Sequence, residues 1–240
     1  MSSLKKLIKK AMFRQSILGV FINPYYILRS ATYKKILKNE KHMQGKMLDF
    51  GCGCKPYDGV FTKVKQHIGL DTKKSGHNHK DEEIDVYYDG KKIPFGNNHF
   101  DSILASEVLE HVPDIDKTLD ELHRVLKKDG NILISMPFAW NEHEKPYDFR
   151  RYSTEGIISV LQSHGFKIVS IEKTTNAIET IFQLWNEYII KVIKIKNKYL
   201  AIIRNLIFAA PITIIGMIFG KILPKDNDLF LNIVVVAKKQ

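Results

Sequence analysis

From Met43 onward, short apolar runs alternate with stretches in which apolar residues recur every three or four positions. Met47-Leu-Asp-Phe, His67-Ile-Gly-Leu, Ile84-Asp-Val-Tyr-Tyr and Phe100-Asp-Ser-Ile-Leu-Ala read as four buried strands. The first ends in glycines, the second at Asp71 and the third at Asp89. Leu119, Leu122, Val125 and Leu126 mark a helix that starts near Asp114 or Asp116 and is predicted to stop at Gly130. Asn131-Ile-Leu-Ile-Ser-Met is a fifth strand, closed by Pro137. Ser153 to His164 reads as a helix with Gly165 past its end, and Phe166-Lys-Ile-Val-Ser-Ile follows as a strand. Strands alternating with helices imply a parallel sheet covered on both faces.

Two stretches break this rhythm. Leu4, Leu7, Ile8, Ala11 and Met12 lie at helical spacing with lysines opposite, which predicts an amphipathic helix. Residues 177–223 are helical in period and very apolar, and Leu229 to Ala237 reads as one more strand. The uncharged run Asn205–Gly220 would be about 24 Å long as a helix. A bilayer span needs about 20 apolar residues, and Pro211 is expected to interrupt this one. The run therefore reads as a buried helical insertion or an in-plane membrane helix rather than a full span. Trp185 and its apolar neighbours fit a core or a lipid-facing surface equally.

Composition sharpens the picture at the ends. The chain of 240 residues suffices for one α/β domain with decoration. The net charge of +11 is concentrated in the first 46 residues, where Lys5, Lys6, Lys9, Lys10, Arg14, Arg29, Lys34, Lys35, Lys38, Lys41 and Lys46 face one acid, Glu40. The stretch Lys191–Lys198 is basic again. A positive fringe on a near-neutral centre points to an anionic surface, phospholipid or nucleic acid. No small-residue cleavage site stands out, so a signal peptide is not expected. Cys52 and Cys54 sit too close for a disulfide, and two cysteines cannot supply a structural zinc site.

The chemistry concentrates in Asp49-Phe-Gly-Cys-Gly-Cys-Lys-Pro-Tyr57. A strand ending in Gly51-x-Gly53 lets the backbone approach a ligand with no Cβ in the way. Asp71 ends the next strand, where a carboxylate can accept both hydroxyls of a ribose. A dinucleotide or an adenosyl cofactor would satisfy both features. The third glycine of the dinucleotide fingerprint is replaced by Pro56, which argues against NAD.

These residues, with Ile93-Pro-Phe-Gly-Asn-Asn-His-Phe-Asp101 and Ser106-Glu-Val-Leu-Glu-His-Val-Pro113, resemble the class I S-adenosylmethionine-dependent methyltransferases. The chain looks closest to a bacterial subgroup with a Gly-Cys-Gly-x-Lys-Pro-Tyr loop and a later segment like Trp140-Asn-Glu-His-Glu-Lys-Pro-Tyr-Asp-Phe-Arg-Arg-Tyr152. The resemblance covers about residues 43–173 and the final strand. It implies an α/β, Rossmann-like, seven-stranded, mostly parallel sheet whose last strand inserts antiparallel beside the sixth. S-adenosyl-L-methionine is the implied cofactor. Gly51, Cys52 and Gly53 would lie along its methionine part, with Asp49 holding the loop or the amino group. Asp71 would bind the ribose, Asp89 the adenine amino group, and Ser106 and Glu107 would face the sulfonium end. Cys54-Lys55-Pro56 departs from the commoner pattern of small residues, and the apolar insertion is not part of the minimal domain.

Residues 1–42 thus read as a basic amphipathic arm. Residues 43–240 read as a methyltransferase domain with an insertion at about 174–227. The polar loop at 138–152, with aromatic residues to give it a small core of its own, is placed to hold a substrate. Within it His143 is the candidate general base, with Glu144 or Asp148 to orient it. Glu110 and His111 read as a helix cap and packing residues. No metal is expected, because His77, His79 and the other histidines lack ligand spacing. The expected acceptor is a small molecule, a glycan or a lipid-linked molecule. The enzyme would be cytoplasmic, with a peripheral place on the inner membrane face. An RNA acceptor ranks lower, since the arm has no stacking platform. A non-enzymatic membrane scaffold is a third reading, against which Gly51, Gly53 and Asp71 speak.

Overall fold

The computed structural model describes residues 16–73 and 83–240. The amphipathic stretch 4–12 and the His77–His79 pair lie outside them. The chain divides into two compact units. A sheet unit comprises Lys35–Glu172 and Ile233–Gln240, and a helical unit comprises Met1–Lys34 and Lys173–Asn232.

The sheet unit is built on seven strands: β1 (Gly45–Phe50), β2 (Val64–Thr72), β3 (Val86–Tyr88), β4 (Phe100–Ser106), β5 (Leu126–Pro137), β6 (Phe166–Lys173) and β7 (Asn232–Lys239). Their order is β3-β2-β1-β4-β5-β7-β6. β1 runs parallel to β2 and β4, with Asp49 opposite Gly69 and Leu48 opposite Ile103. β7 runs antiparallel to β6, as Gly165 meets Gln240 at one end and Thr174 meets Asn232 at the other. Leu48, Ile103, Leu104, Ile132, Leu133 and Ile134 are fully buried. These near-continuous apolar runs are what a sheet covered on both faces requires.

Two boundaries differ from the sequence reading. The helix capped by Asp114 (Ile115–Val125) stops at Val125 rather than Gly130. Leu126 continues the helical period in sequence, yet its backbone pairs with Phe100, while Asn131 pairs with Ser102. Residues 127–130 form the bulge between those pairs, with Asp129 at φ +64°. The last strand begins at Asn232 rather than Leu229, because the Leu231 and Asn232 amides donate to the hydroxyls of Thr175 and Thr174. The expected helix over 153–164 is present as Thr154–Ser163, capped by Ser153.

The helical unit contains Ile17–Ile22, the first part of Tyr26–Lys38, Ala177–Val192 and a continuous helix over Lys198–Ile222. Pro211 does not break this last helix. A π-helical turn at Asn205–Ala209 precedes it, and Pro211 falls in the first turn of the following segment, Ala210–Ile222. A wide turn just before proline accommodates its ring and its missing N–H.

Polar residues fill the interior of this unit. Asn186 donates to Thr213 Oγ1 at 2.9 Å, Gln183 to the Pro24 carbonyl at 2.9 Å and Asn205 to the Ile22 carbonyl at 3.0 Å. Thr180, Gln183, Asn186 and Thr213 are fully buried. Gly216 and Gly220 allow the two long helices to approach closely. A Cβ at Gly216 would stand 2.6 Å from Phe182 Cβ, and one at Gly220 2.5 Å from Glu179 Cγ. The apolar side chains point outward: Trp185, Tyr188, Ile207, Ile218 and Ile222 are each at least half exposed.

Candidate active site

The sheet reverses its strand order between β1 and β4, and the loops that leave those two strands diverge there. A cleft of about 750 Å³ opens among them. Phe50, Gly51, Asp71, Tyr88, Asp89, Glu107, His111, Glu144 and Tyr147 are among its lining residues. Its floor is the turn after β1. Gly51 has φ +69°, and a Cβ there would lie 2.2 Å from Val108 Cγ2, so only glycine fits. The amides of Gly51 and Cys52 donate to the Leu70 carbonyl and tie the turn to β2. Asp71, at the tip of β2, accepts from Gly53 N at 2.9 Å and from Thr72 N at 2.7 Å. Asp89 accepts from the Lys91 and Lys92 amides. Those two bonds hold its carboxyl below the ordinary range.

The opposite rim is the short turn Leu109–His111 packed against residues 141–151. Arg150 reaches the carbonyls of Leu109, Val112 and Pro113. Phe149 N donates to the Glu110 carbonyl at 2.9 Å. The Asp148 carboxylate is enclosed and takes both terminal nitrogens of Arg151, at 2.6 and 2.8 Å, together with His143 N at 2.9 Å. Burial opposes its charge, but these bonds outweigh burial and hold its carboxyl at about 2. His111 Nδ1 bonds the Tyr147 carbonyl at 2.7 Å, and the His111 and His143 rings meet edge to face at 4.7 Å. Burial lowers the His111 imidazole below its ordinary value. Glu110 is fully buried, and burial and then the Glu107 charge raise its carboxyl well above the usual range.

The sequence and the fold have counterparts among known proteins. Residues 48–134 match the methyltransferase domain family. The chain is 33% identical over 91 residues to the ubiquinone/menaquinone biosynthesis C-methyltransferase UbiE of Pseudoalteromonas translucida, covering 35% of this chain and 36% of that protein. It is 30% identical over 139 residues to the ubiquinone biosynthesis O-methyltransferase of Pelagibacter ubique, covering 53% and 55%. Among solved structures, phosphoethanolamine N-methyltransferase 2 of Haemonchus contortus, in complex with S-adenosyl-L-methionine, aligns with a TM-score of 0.54 at 19% identity. That alignment covers 100% of this chain and 60% of the other. The chain thus spans about a third to a half of these curated relatives. Residues 48–134 are a methyltransferase domain.

The methyltransferase cleft fits S-adenosyl-L-methionine on its own geometry. Its floor admits backbone but no side chain at Gly51, and it presents the carboxylates of Asp71 and Asp89 along one wall. Those residues would hold the cofactor. Of the other residues singled out from the sequence, Glu107 and Glu144 also line the cleft. Glu107 accepts from Ser135 Oγ at 2.7 Å. Ser106 turns to Ser135 and Tyr57 instead. Gly53 supports the site from behind through its bond to Asp71. Cys52 is buried, and burial raises its thiol.

Asp49 is also buried, and its carboxylate bonds His67 Nε2 at 2.8 Å rather than facing the cleft. Burial raises this carboxyl against the pull of His67. Burial opposes the charge on the His67 imidazole too, but Asp49 and then Asp58 outweigh it and raise the imidazole. His143 and Asp148 stand behind the cleft wall, and it is His111 that lines the wall itself.

The loop at 138–152 is held by Arg150 and by the Asp148–Arg151 pair, and of its aromatic residues Tyr147 and Phe149 are exposed. The sequence reading also missed Asp85, which binds Lys55 Nζ and Gly69 N and so braces the turn from the β2 side. A carboxylate just ahead of a strand was the signal for it.

Proposed function

We propose that this chain transfers a methyl group from S-adenosyl-L-methionine to an amphiphilic acceptor, a lipid-linked or glycan-bearing small molecule, at a membrane surface. The bound cofactor supplies a methyl carbon made electrophilic by the adjacent sulfonium. What the chain contributes is orientation, which can account for about 7–11 kcal/mol of such a barrier. Asp71 and Gly51 fix one end of the cleft. At the other, the Tyr147 carbonyl accepts from His111 Nδ1 and so fixes the imidazole in the cleft wall. His143 packs against His111, and Asp148 fixes His143 in turn.

One observation carries the membrane half of this reading: the helical unit is polar inside and apolar outside. Burying Gln183, Asn186 and Thr213 while exposing Trp185, Ile207 and Ile218 inverts the arrangement that water selects. In lipid the same arrangement is favourable. Close helix contact through Gly216-x-x-x-Gly220 and interhelical side-chain bonds is how helices associate there. The helix Lys198–Ile222 is 25 residues long and contains an 18-residue window with a mean hydropathy of 2.0, only 33% of which is buried. Relatives named for ubiquinone and menaquinone support an acceptor of amphiphilic kind.

Two measurements test the reading. Titration calorimetry of the full chain with S-adenosyl-L-methionine should show one site, and Asp71→Ala should weaken it about 10- to 100-fold, the worth of a charge-assisted hydrogen bond. A chain that binds none would be a scaffold. Flotation with vesicles of phosphatidylglycerol and phosphatidylcholine should recover the wild type, and Trp185→Ser with Ile218→Ser should lower recovery roughly tenfold. Unchanged recovery would remove the membrane from the proposal. Mass spectrometry of lipid extracts from cells with and without the active chain would identify the acceptor.

A further inference from the structure

The rim of the cleft holds a cluster that the cofactor site does not use. One donor atom each from Glu110, His111 and His143 lies within 4.8 Å of the other two. Glu110 Oε1 is 3.7 Å from His111 Nε2. Both Glu110 carboxylate oxygens are buried and have no hydrogen-bond partner, although the residue is fully inaccessible to solvent. A buried carboxylate without donors is unfavourable by several kcal/mol unless it keeps its proton or a cation compensates it. We propose that Glu110, His111 and His143 bind one divalent first-row cation such as Zn²⁺, Mn²⁺ or Co²⁺.

The surroundings of the three ligands suit this role. A metal-binding imidazole usually gives its other N–H to a carbonyl or carboxylate, which fixes the ring and its tautomer. His111 Nδ1 is so held by the Tyr147 carbonyl at 2.7 Å. His143 Nδ1 lies 3.2 Å from the Asn141 carbonyl and 3.4 Å from Asp148 Oδ2, which leaves its Nε2 for the cation. Bonds of about 2.0–2.2 Å in a tetrahedral set put neighbouring ligand atoms roughly 3.3–3.6 Å apart. The Glu110–His111 distance already approaches this, and the other contacts need to close by no more than about 1.5 Å.

Two imidazoles and one carboxylate select transition cations over magnesium and leave coordination positions open. His111 and Glu144 line the cleft, so an open position would face the acceptor. Glu144 Oε2, 3.9 Å from His111 Nε2, stands where it can become a fourth ligand. This part of the inference rests on the methyltransferase reading: an acceptor oxygen on the cation would be oriented and made more acidic, losing its proton to water.

The test uses the full chain, freed of metal with a chelator and titrated with Co²⁺. Expected are a one-to-one isotherm and visible absorption bands of a low-coordinate, nitrogen-bound cobalt. Glu110→Gln and His143→Ala should each weaken binding at least tenfold. Glu110→Gln removes the anionic ligand, so it should also abolish any rise in melting temperature on adding Co²⁺. Wild-type protein without saturable binding, or variants that bind cobalt as the wild type does, would overturn the metal site. Calorimetry with S-adenosyl-L-methionine on the same samples separates the two readings. Cofactor binding without cobalt binding refutes the cation alone, and cobalt binding without cofactor binding refutes the methyltransferase reading while the cation site stands.

Discussion

The sheet unit and the helical unit solve the problem of burial in opposite ways. In the first, Ile103, Leu104, Leu133 and Ile134 are wholly inside, and the charged side chains lie at strand tips and loops. In the second, Thr180, Gln183, Asn186 and Thr213 are inside, and isoleucine, tryptophan and tyrosine form the surface. The same residue type therefore has opposite meaning in the two regions. Apolar side chains hold the sheet together, whereas in the helical unit glycines and amides join the helices and the apolar side chains are left for another phase.

A matched pair of substitutions should break this comparison most sharply. Ile134→Ser creates a cavity and buries a hydroxyl in the sheet, and is expected to lower unfolding free energy by about 3–5 kcal/mol. Ile218→Ser, at a half-exposed position of the helical unit, should change it by no more than about 0.5 kcal/mol. Denaturant melts of both variants in detergent would decide the matter, and equal losses would mean that Ile218 belongs to a core. Gly216→Val comes next. Its Cβ would collide with Phe182, so a loss of about 1–3 kcal/mol is expected in detergent, where an exposed glycine would tolerate the change.

The smallest effect concerns pH and the sheet unit alone. Burial would raise the Glu172 carboxyl, but hydrogen bonds from Lys38, Lys35 and Asn39 outweigh burial and hold it at about 2. A folded value below the unfolded one stabilises above the ordinary carboxylate range, and that stabilisation is lost as pH falls toward 2. Wild type and Glu172→Gln should therefore differ by about 1 kcal/mol near pH 6 and converge by pH 2. A constant difference across that range would show that Glu172 acts through packing.

How much of this was legible in the chain depended on how local each signal is. Strand positions, the turn at Gly51 and the acid at Asp71 were readable because each follows from a few adjacent residues. The end of the helix at Val125 was not, because Leu126 satisfies the helical period and only its register with Phe100 assigns it to a strand. His111 read as a packing residue because its partner His143 is 32 positions away, and only the folded rim brings the rings together. The inverted helical unit left a usable trace. Thr180, Gln183 and Glu187 follow one another at intervals of three and four within an apolar run, as do Thr213, Gly216 and Gly220. A polar stripe of that kind on an apolar helix marks the face that meets other helices, and read that way it would have separated the two halves of the chain.

The strand order also has a consequence for synthesis. β7 lies between β5 and β6, yet the ribosome makes it after the whole helical excursion. A nascent chain halted before Asn232 would hold a sheet with an unfilled slot and the bare edges of β5 and β6 on either side of it. Such edges recruit other strands. Until Asn232–Lys239 has been made, the chain is therefore open to edge pairing with other strands.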